Sequence, residues 1–128
     1  MTYVKITGGN MEIGNGAGIQ VKGSNEPDGT GLSPRELLEA AVALCVVKSI
    51  RTVLDRDRVA HDPDEIEAEA VAIKEGDVTN RFAKLEVRVK LPSNLDDAYR
   101  KKLLVVAERA CTIGNTIRHG AVVTLEQS

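Results

Sequence analysis

Aromatic residues are scarce in this chain: it has no tryptophan, and Tyr3, Phe82 and Tyr99 are its only aromatic residues apart from two histidines. Any core must therefore be filled with Val, Leu, Ile and Ala. A 128-residue chain with such a core buries a limited share of its surface alone, which favours oligomerisation. The same scarcity removes the stacking platforms that hold unpaired bases. With 17 basic against 19 acidic residues there is also no positive excess to meet a phosphate backbone, so nucleic acid is not an expected partner. Long apolar runs are missing too. The most apolar stretch, Leu37 to Val47, is interrupted by Glu39 and ended by Lys48, well short of the roughly 20 residues a spanning helix needs. No basic-then-apolar leader is visible at the start. A soluble, cytoplasmic protein without membrane attachment is expected, in a compartment where thiols stay reduced.

Cysteine and histidine are equally sparse. Cys45 and Cys111 form no CxxC pair, and His61 and His119 lie in unrelated segments. This gives no closed zinc set and no thioredoxin-like motif. His61 falls in a charged linker and reads as surface. The glycine pairs near the N-terminus are not followed by a helix, and no Walker lysine loop occurs, so no phosphate cradle is expected. Neither a metal nor a cofactor is expected.

The size is that of one domain. Thr2 to Thr7, Met11 to Ile13 and Ala17 to Lys22 read as three short strands separated by glycine-rich turns, a small antiparallel meander. A polar loop from Gly23 to Gly31 follows. Ser33-Pro34-Arg35-Glu36 is then a helix start: serine at the cap, proline at the first helical position, and glutamate three residues on to complete a capping box. The helix runs to about Leu54 with an apolar surface around most of its circumference, so sheet or partner helices must cover it on several sides. Ile66 to Ile73 and Phe82 to Leu91 alternate and read as strands, the second half-buried. Asp96 and Asp97 open a second helix to about Ala110, followed by a short turn of helix and a last strand from Ala121 to Leu125. The order is that of an α+β protein.

The residues that carry chemistry are the two thiols. Cys45 lies on the long helix, and Cys111 lies where the second helix ends and a new turn begins at Thr112. A thiol near the first turn of a helix has its thiolate favoured. Buried small hydrophobes and a reversible dithiol–disulfide pair both remain open readings.

The segment from Ser33-Pro34-Arg35-Glu36-Leu37 through the small-residue run to Leu44-Cys45 resembles the first-cysteine motif of the OsmC/Ohr family. Ala110-Cys111-Thr112-Ile113-Gly114-Asn115-Thr116-Ile117 resembles its second-cysteine motif, and the spacing and element order are similar over nearly the whole chain. The resemblance implies residues 1–128 as a single OsmC-like domain, with antiparallel sheets wrapped around a long central helix in an intertwined homodimer. It further implies an antioxidant, stress-response peroxidase. Cys45 would attack a small organic hydroperoxide and become a sulfenic acid. Cys111 would condense with it to a disulfide, and a small dithiol or lipoyl-type reductant would reset the pair. Peroxidase members carry a glutamate ten positions before the first cysteine, where this chain has Arg35, with Glu36 beside it. They also carry an arginine in the N-terminal strands, where this chain has only Lys5 and Lys22 as cations. Arg35 and Glu36 are therefore the candidate activating residues beside the two thiols. Ten residues of helix span about 15 Å, so Arg35 would act across a dimer or at the pocket rim. The alternative is a non-catalytic stress or small-molecule-binding protein on the same scaffold, with redox-sensitive thiols.

Overall fold

A computed structural model describes all residues, 1–128. The chain divides into two compact units, Met1–Ala40 and Ala41–Ser128.

The first unit is the meander. Strands β1 (Tyr3–Thr7), β2 (Asn10–Gly14) and β3 (Gln20–Lys22) lie in that order, each antiparallel to the next. Gly8 and Gly9 make the two-residue turn between β1 and β2 with φ of 58° and 82°. A tight hairpin of this kind needs that left-handed backbone, and side chains resist it. The third strand is shorter than expected, because the Asn15 side chain accepts from the N–H groups of Ala17 and Ile19 and holds 15–19 as a turn. Val4, Ile13 and Val21 share one face of the sheet, with Ile6 and Met11 beside them. Val4 is 63% exposed and Ile6 75% exposed. The loop that follows returns to the sheet through a parallel bridge between Gly23 and Leu32.

Helix α1 (Pro34–Arg56) begins in the first unit. Its capping box forms as the sequence indicates. Ser33 N–H and Oγ both donate to Glu36 Oε1, at 3.0 and 2.9 Å, and Ser33 Oγ accepts from Glu36 N–H at 3.3 Å.

In the second unit the rest of α1 packs with α2 (Asp97–Ala110) and with the hairpin of β4 (Glu67–Ile73) and β5 (Lys84–Lys90). Ile50, Val53, Leu54, Leu95, Leu103 and Ala107 form its core. The hairpin register pairs Ala68 with Val89, Ala70 with Val87 and Ala72 with Leu85 on the inner face. Glu67 meets Lys90 on the outer face, with Nζ and Oε2 3.6 Å apart. Asp96 caps α2 by accepting from Tyr99 N–H at 2.8 Å, and Tyr99 Oη donates to Asp57 Oδ2 at 2.8 Å, tying α2 to the segment that follows α1. A short α3 (Thr112–His119) is the last regular element.

One expectation is corrected. No strand forms from Ala121 to Leu125: the segment has no strand partner, and Val122, Val123 and Leu125 are almost fully exposed. Alternating apolar residues make a strand only where an edge supplies hydrogen bonds, and within this chain none does so here. Within the single chain α1 is covered unevenly. Val42, Ser49, Ile50, Val53 and Leu54 are buried, whereas Leu44 is 70% exposed.

Leu103 is fully buried in the core, and truncating it to alanine is expected to destabilise the protein by about 2–5 kcal/mol. Ser33→Ala, which removes the cap of α1, is expected to cost about 1 kcal/mol. Urea denaturation followed by circular dichroism checks both, and a Leu103→Ala midpoint equal to the parent's would contradict this packing.

Candidate active site: a dithiol at a helix start

The end of α2 and the start of α3 meet at one residue. Cys111 has φ −73° and ψ 101°, an extended conformation that stops α2 and lets its own side chain cap α3. Its Sγ accepts from Gly114 N–H at 3.3 Å, and its carbonyl accepts from Asn115 N–H at 2.9 Å. Asn115 Nδ2 donates to the carbonyl of Arg109 at 3.0 Å, so the last turn of α2 and the first of α3 are tied across the break. Asn115 and Thr116, which read as turn or capping residues in the sequence, sit inside α3.

Cys45, on α1, presents its sulfur to this same helix start. Burial pushes the Cys45 thiol up. The Ile113 N–H, the Cys111 side chain, the Thr112 N–H and the Lys48 charge together outweigh burial, and the group ends below an ordinary thiol. Cys111 goes the other way: burial raises it first, and its hydrogen bond to Cys45 raises it further, against the Gly114 N–H. The asymmetry has a simple reading. The Cys111 side chain, acting as donor toward the Cys45 sulfur, favours ionisation of Cys45 and opposes its own. Both cysteines are free, Cys45 half-buried and Cys111 buried at 2% exposure.

Cys111 also lines a cavity of about 840 Å³ within the second unit. Its walls are apolar, with Val42 and Val46 from α1, Leu85 and Val87 from β5 and Leu104 from α2. That volume accommodates a small organic molecule. Arg81, Lys84, Glu108 and Arg118 supply its charged groups. Lys84 is already engaged by Glu75 at 3.4 Å and Glu86 at 3.3 Å.

Of the four residues singled out in the sequence, Cys45 and Cys111 come together in the second unit. Arg35 and Glu36 belong to the first unit and are engaged within their own turn. Arg35 Nε pairs with Glu39 Oε2 at 3.3 Å, and Glu36 is held in the capping box. The sequence reading missed Lys48, Gly114 and Arg118. Lys48, three residues after Cys45 on the same helix, was within reach of a spacing argument. The other two depend on how α3 is set against the thiols. No group of three or more His, Cys, Asp or Glu side chains is placed to hold a metal ion. No helix is long and apolar enough to cross a membrane.

The sequence matches the OsmC-like protein family over residues 27–126. With that match, the α+β order around one long helix and two motif cysteines brought together, the chain belongs to the OsmC/Ohr family. Solved structures share the fold. An OsmC-like protein from Mycoplasma pneumoniae superposes with a TM-score of 0.73 at 13% identity, covering 92% of this chain and 86% of that one. An organic hydroperoxide resistance protein from Legionella pneumophila gives 0.68 at 20% identity, covering 92% and 89%. The organic hydroperoxide resistance protein OhrB of Bacillus subtilis gives 0.65 at 21% identity, covering 92% and 90%. Among curated proteins, none matches the chain in sequence.

The two thiols are expected to titrate apart. Alkylation with iodoacetamide across pH, read by mass spectrometry of each peptide, should give Cys45 the lower midpoint and the faster reaction at neutral pH. Because ionised Cys45 is favoured in the folded state, its contribution to stability is present above the pKa of an unfolded thiol. It fades as pH falls through the depressed folded value. Equal midpoints for Cys45 and Cys111 would contradict the assigned geometry.

Proposed function

We propose that this protein is a thiol-dependent peroxidase that reduces organic hydroperoxides through Cys45 and Cys111. The observation that carries this reading is the placing of Cys45 and Cys111 at one helix start, which favours ionisation of Cys45, with Cys111 lining an apolar cavity. The Cys45 thiolate attacks the outer peroxide oxygen. The O–O bond breaks, and the alkoxide takes a proton and leaves as an alcohol. Cys111 then attacks the sulfur of the Cys45 sulfenic acid, the S–O bond breaks, and water leaves as the disulfide forms. A small dithiol, of free or lipoyl type, returns both thiols by exchange. The relatives bearing the name of organic hydroperoxide resistance proteins support the substrate class.

The working unit in this reading is a homodimer in which residues 1–128 act as one OsmC-like domain. Uncovered apolar surface supports it: Val4 and Ile6 on the meander, Leu44 on α1, and Val122, Val123 and Leu125 in the tail. A second copy that supplied a strand edge to residues 121–125 would restore the strand missing from the single chain. Arg35 and Glu36 take their place at the rim of the pocket across that dimer. The scaffold without catalysis, as a stress or small-molecule-binding protein, is the second reading. The local engagement of Arg35 and Glu36 favours it.

Consumption of cumene hydroperoxide with a dithiol reductant is the deciding measurement. The parent should turn over, Cys45→Ser should lose at least about 100-fold, and non-reducing digests after one equivalent of peroxide should contain the Cys45–Cys111 linked peptide. A parent no faster than Cys45→Ser leaves the binding protein standing. Light scattering should return twice the chain mass of 13.8 kDa. Arg35→Ala is expected to raise the Cys45 midpoint by about one unit, or about 1.4 kcal/mol; no shift leaves the activation to the start of α3 and Lys48.

A further inference from the structure

Arg118 is the one cation on α3 whose side chain folds back along the helix toward the thiols. A Cβ built on Gly114 would stand 3.3 Å from Cys111 Sγ and 3.4 Å from Arg118 Nη2. Sulfur and guanidinium thus flank a single empty position, closer together than the Debye length of about 8 Å at physiological salt. Side chains on a helix lean toward its N-terminus, so Arg118 naturally covers the turn that contains residue 114, and glycine there leaves the room. The guanidinium is fixed in place: Nη1 donates to Asn115 Oδ1 at 3.0 Å, and Nη2 lies 3.7 Å from Glu108 Oε1. Cys111, Gly114, Glu108 and Arg118 all line the same cavity.

We propose that Arg118 is the positioning cation of the second thiol, favouring the Cys111 thiolate at the moment it must attack the Cys45 sulfenic acid. The inference rests on the peroxidase reading and adds to it a division of labour between charges. Before oxidation the negative charge on Cys45 opposes a second one on Cys111. Once Cys45 carries the hydroxyl and is neutral, that opposition ends, and Arg118 joins the Gly114 and Ile113 N–H groups in favouring charge on the Cys111 sulfur. The charged groups around Cys111 are few. Cys45 and Lys48 come from α1, Glu108 from α2, Arg118 from α3, and Arg81 and Lys84 from the cavity wall beyond. Glu108 is the one nearby acid among them, and it pulls against Arg118. When the Cys111 thiolate attacks, its proton has already left to water, the S–S bond forms as the S–O bond breaks, and the departing hydroxide takes up a proton.

The test titrates Cys111 by thiolate absorbance in Cys45→Ser protein, where no peroxide chemistry is needed. Arg118→Gln is expected to raise the Cys111 midpoint by about one pH unit, a tenfold loss of thiolate at neutral pH. Arg118→Lys should restore most of it. Glu108→Gln, which leaves the arginine in place, should move the midpoint down. In protein with both cysteines, a peroxide pulse followed by rapid quench should show Arg118→Gln slowing disulfide formation about tenfold more than it slows sulfenic acid formation, with more Cys45 driven to sulfinic acid. A Cys111 midpoint unmoved by Arg118→Gln overturns the proposal, as does one moved equally by glutamine and lysine. If Arg118→Gln does not fold, an unmoved midpoint in Glu108→Gln overturns it alone. A protein that consumes no peroxide at all defeats the peroxidase reading, while the titration still decides whether Arg118 acts on Cys111.

Discussion

At the start of α3 the Gly114 N–H is capped by the Cys111 sulfur and not by the usual oxygen, and the Ile113 and Thr112 N–H groups pull the Cys45 thiol down. A helix start exposes such donors without intrahelical partners, together with the positive end of the helix dipole. Here Cys111 caps from within the chain and Cys45 arrives from α1. The placement of α1 against α2, through Ile50, Leu54, Leu103 and Ala107, brings the second sulfur to that spot. Core packing therefore sets where the thiol chemistry can take place in this molecule.

Some of this was legible in the residues. Ser33-Pro34-x-Glu36 fixes the start of α1 through local hydrogen bonds, and local hydrogen bonds are what a sequence displays best. The same holds for Asp96 at the start of α2 and for the Gly8-Gly9 turn. The two motif segments gave the family and both thiols. Residues 121–125 went the other way. Their alternation is that of a strand, yet strand formation depends on an edge elsewhere, and alternation says nothing about whether one is available. Arg118 was not legible for a similar reason. Its spacing from Gly114 is visible, but its nearness to Cys111 requires knowing that α2 stops at Cys111 and that α3 starts there with the cysteine as its cap.

The small side chains of the chain have a further effect. The inner face of β4 carries Ala68, Ala70 and Ala72 opposite Val89, Val87 and Leu85 of β5. Phe82 is the one aromatic residue at the cavity beside Cys111, and its apolar wall is otherwise aliphatic. Apolar walls of this kind hold few ordered waters, which strengthens each charge interaction at the thiol end. The scarcity of aromatics that first marked this sequence is thus expressed as open space beside Cys111.

The hydrogen bond from Tyr99 to Asp57 separates the chemistry of the scaffold from that of the site. Burial, with the Asp57 carboxylate as the next contributor, pushes Tyr99 up to about 12. The bond holds Asp57 below its ordinary value in return. The tie between α2 and the end of α1 therefore carries the same charge and the same proton from mild acid to strong alkali. The protonation of the thiols is set elsewhere, by burial, by each other and by the start of α3. Protons can come and go at the sulfurs while the joint that positions them stays in a single protonation state, so the site can be tuned by pH without its support being tuned as well.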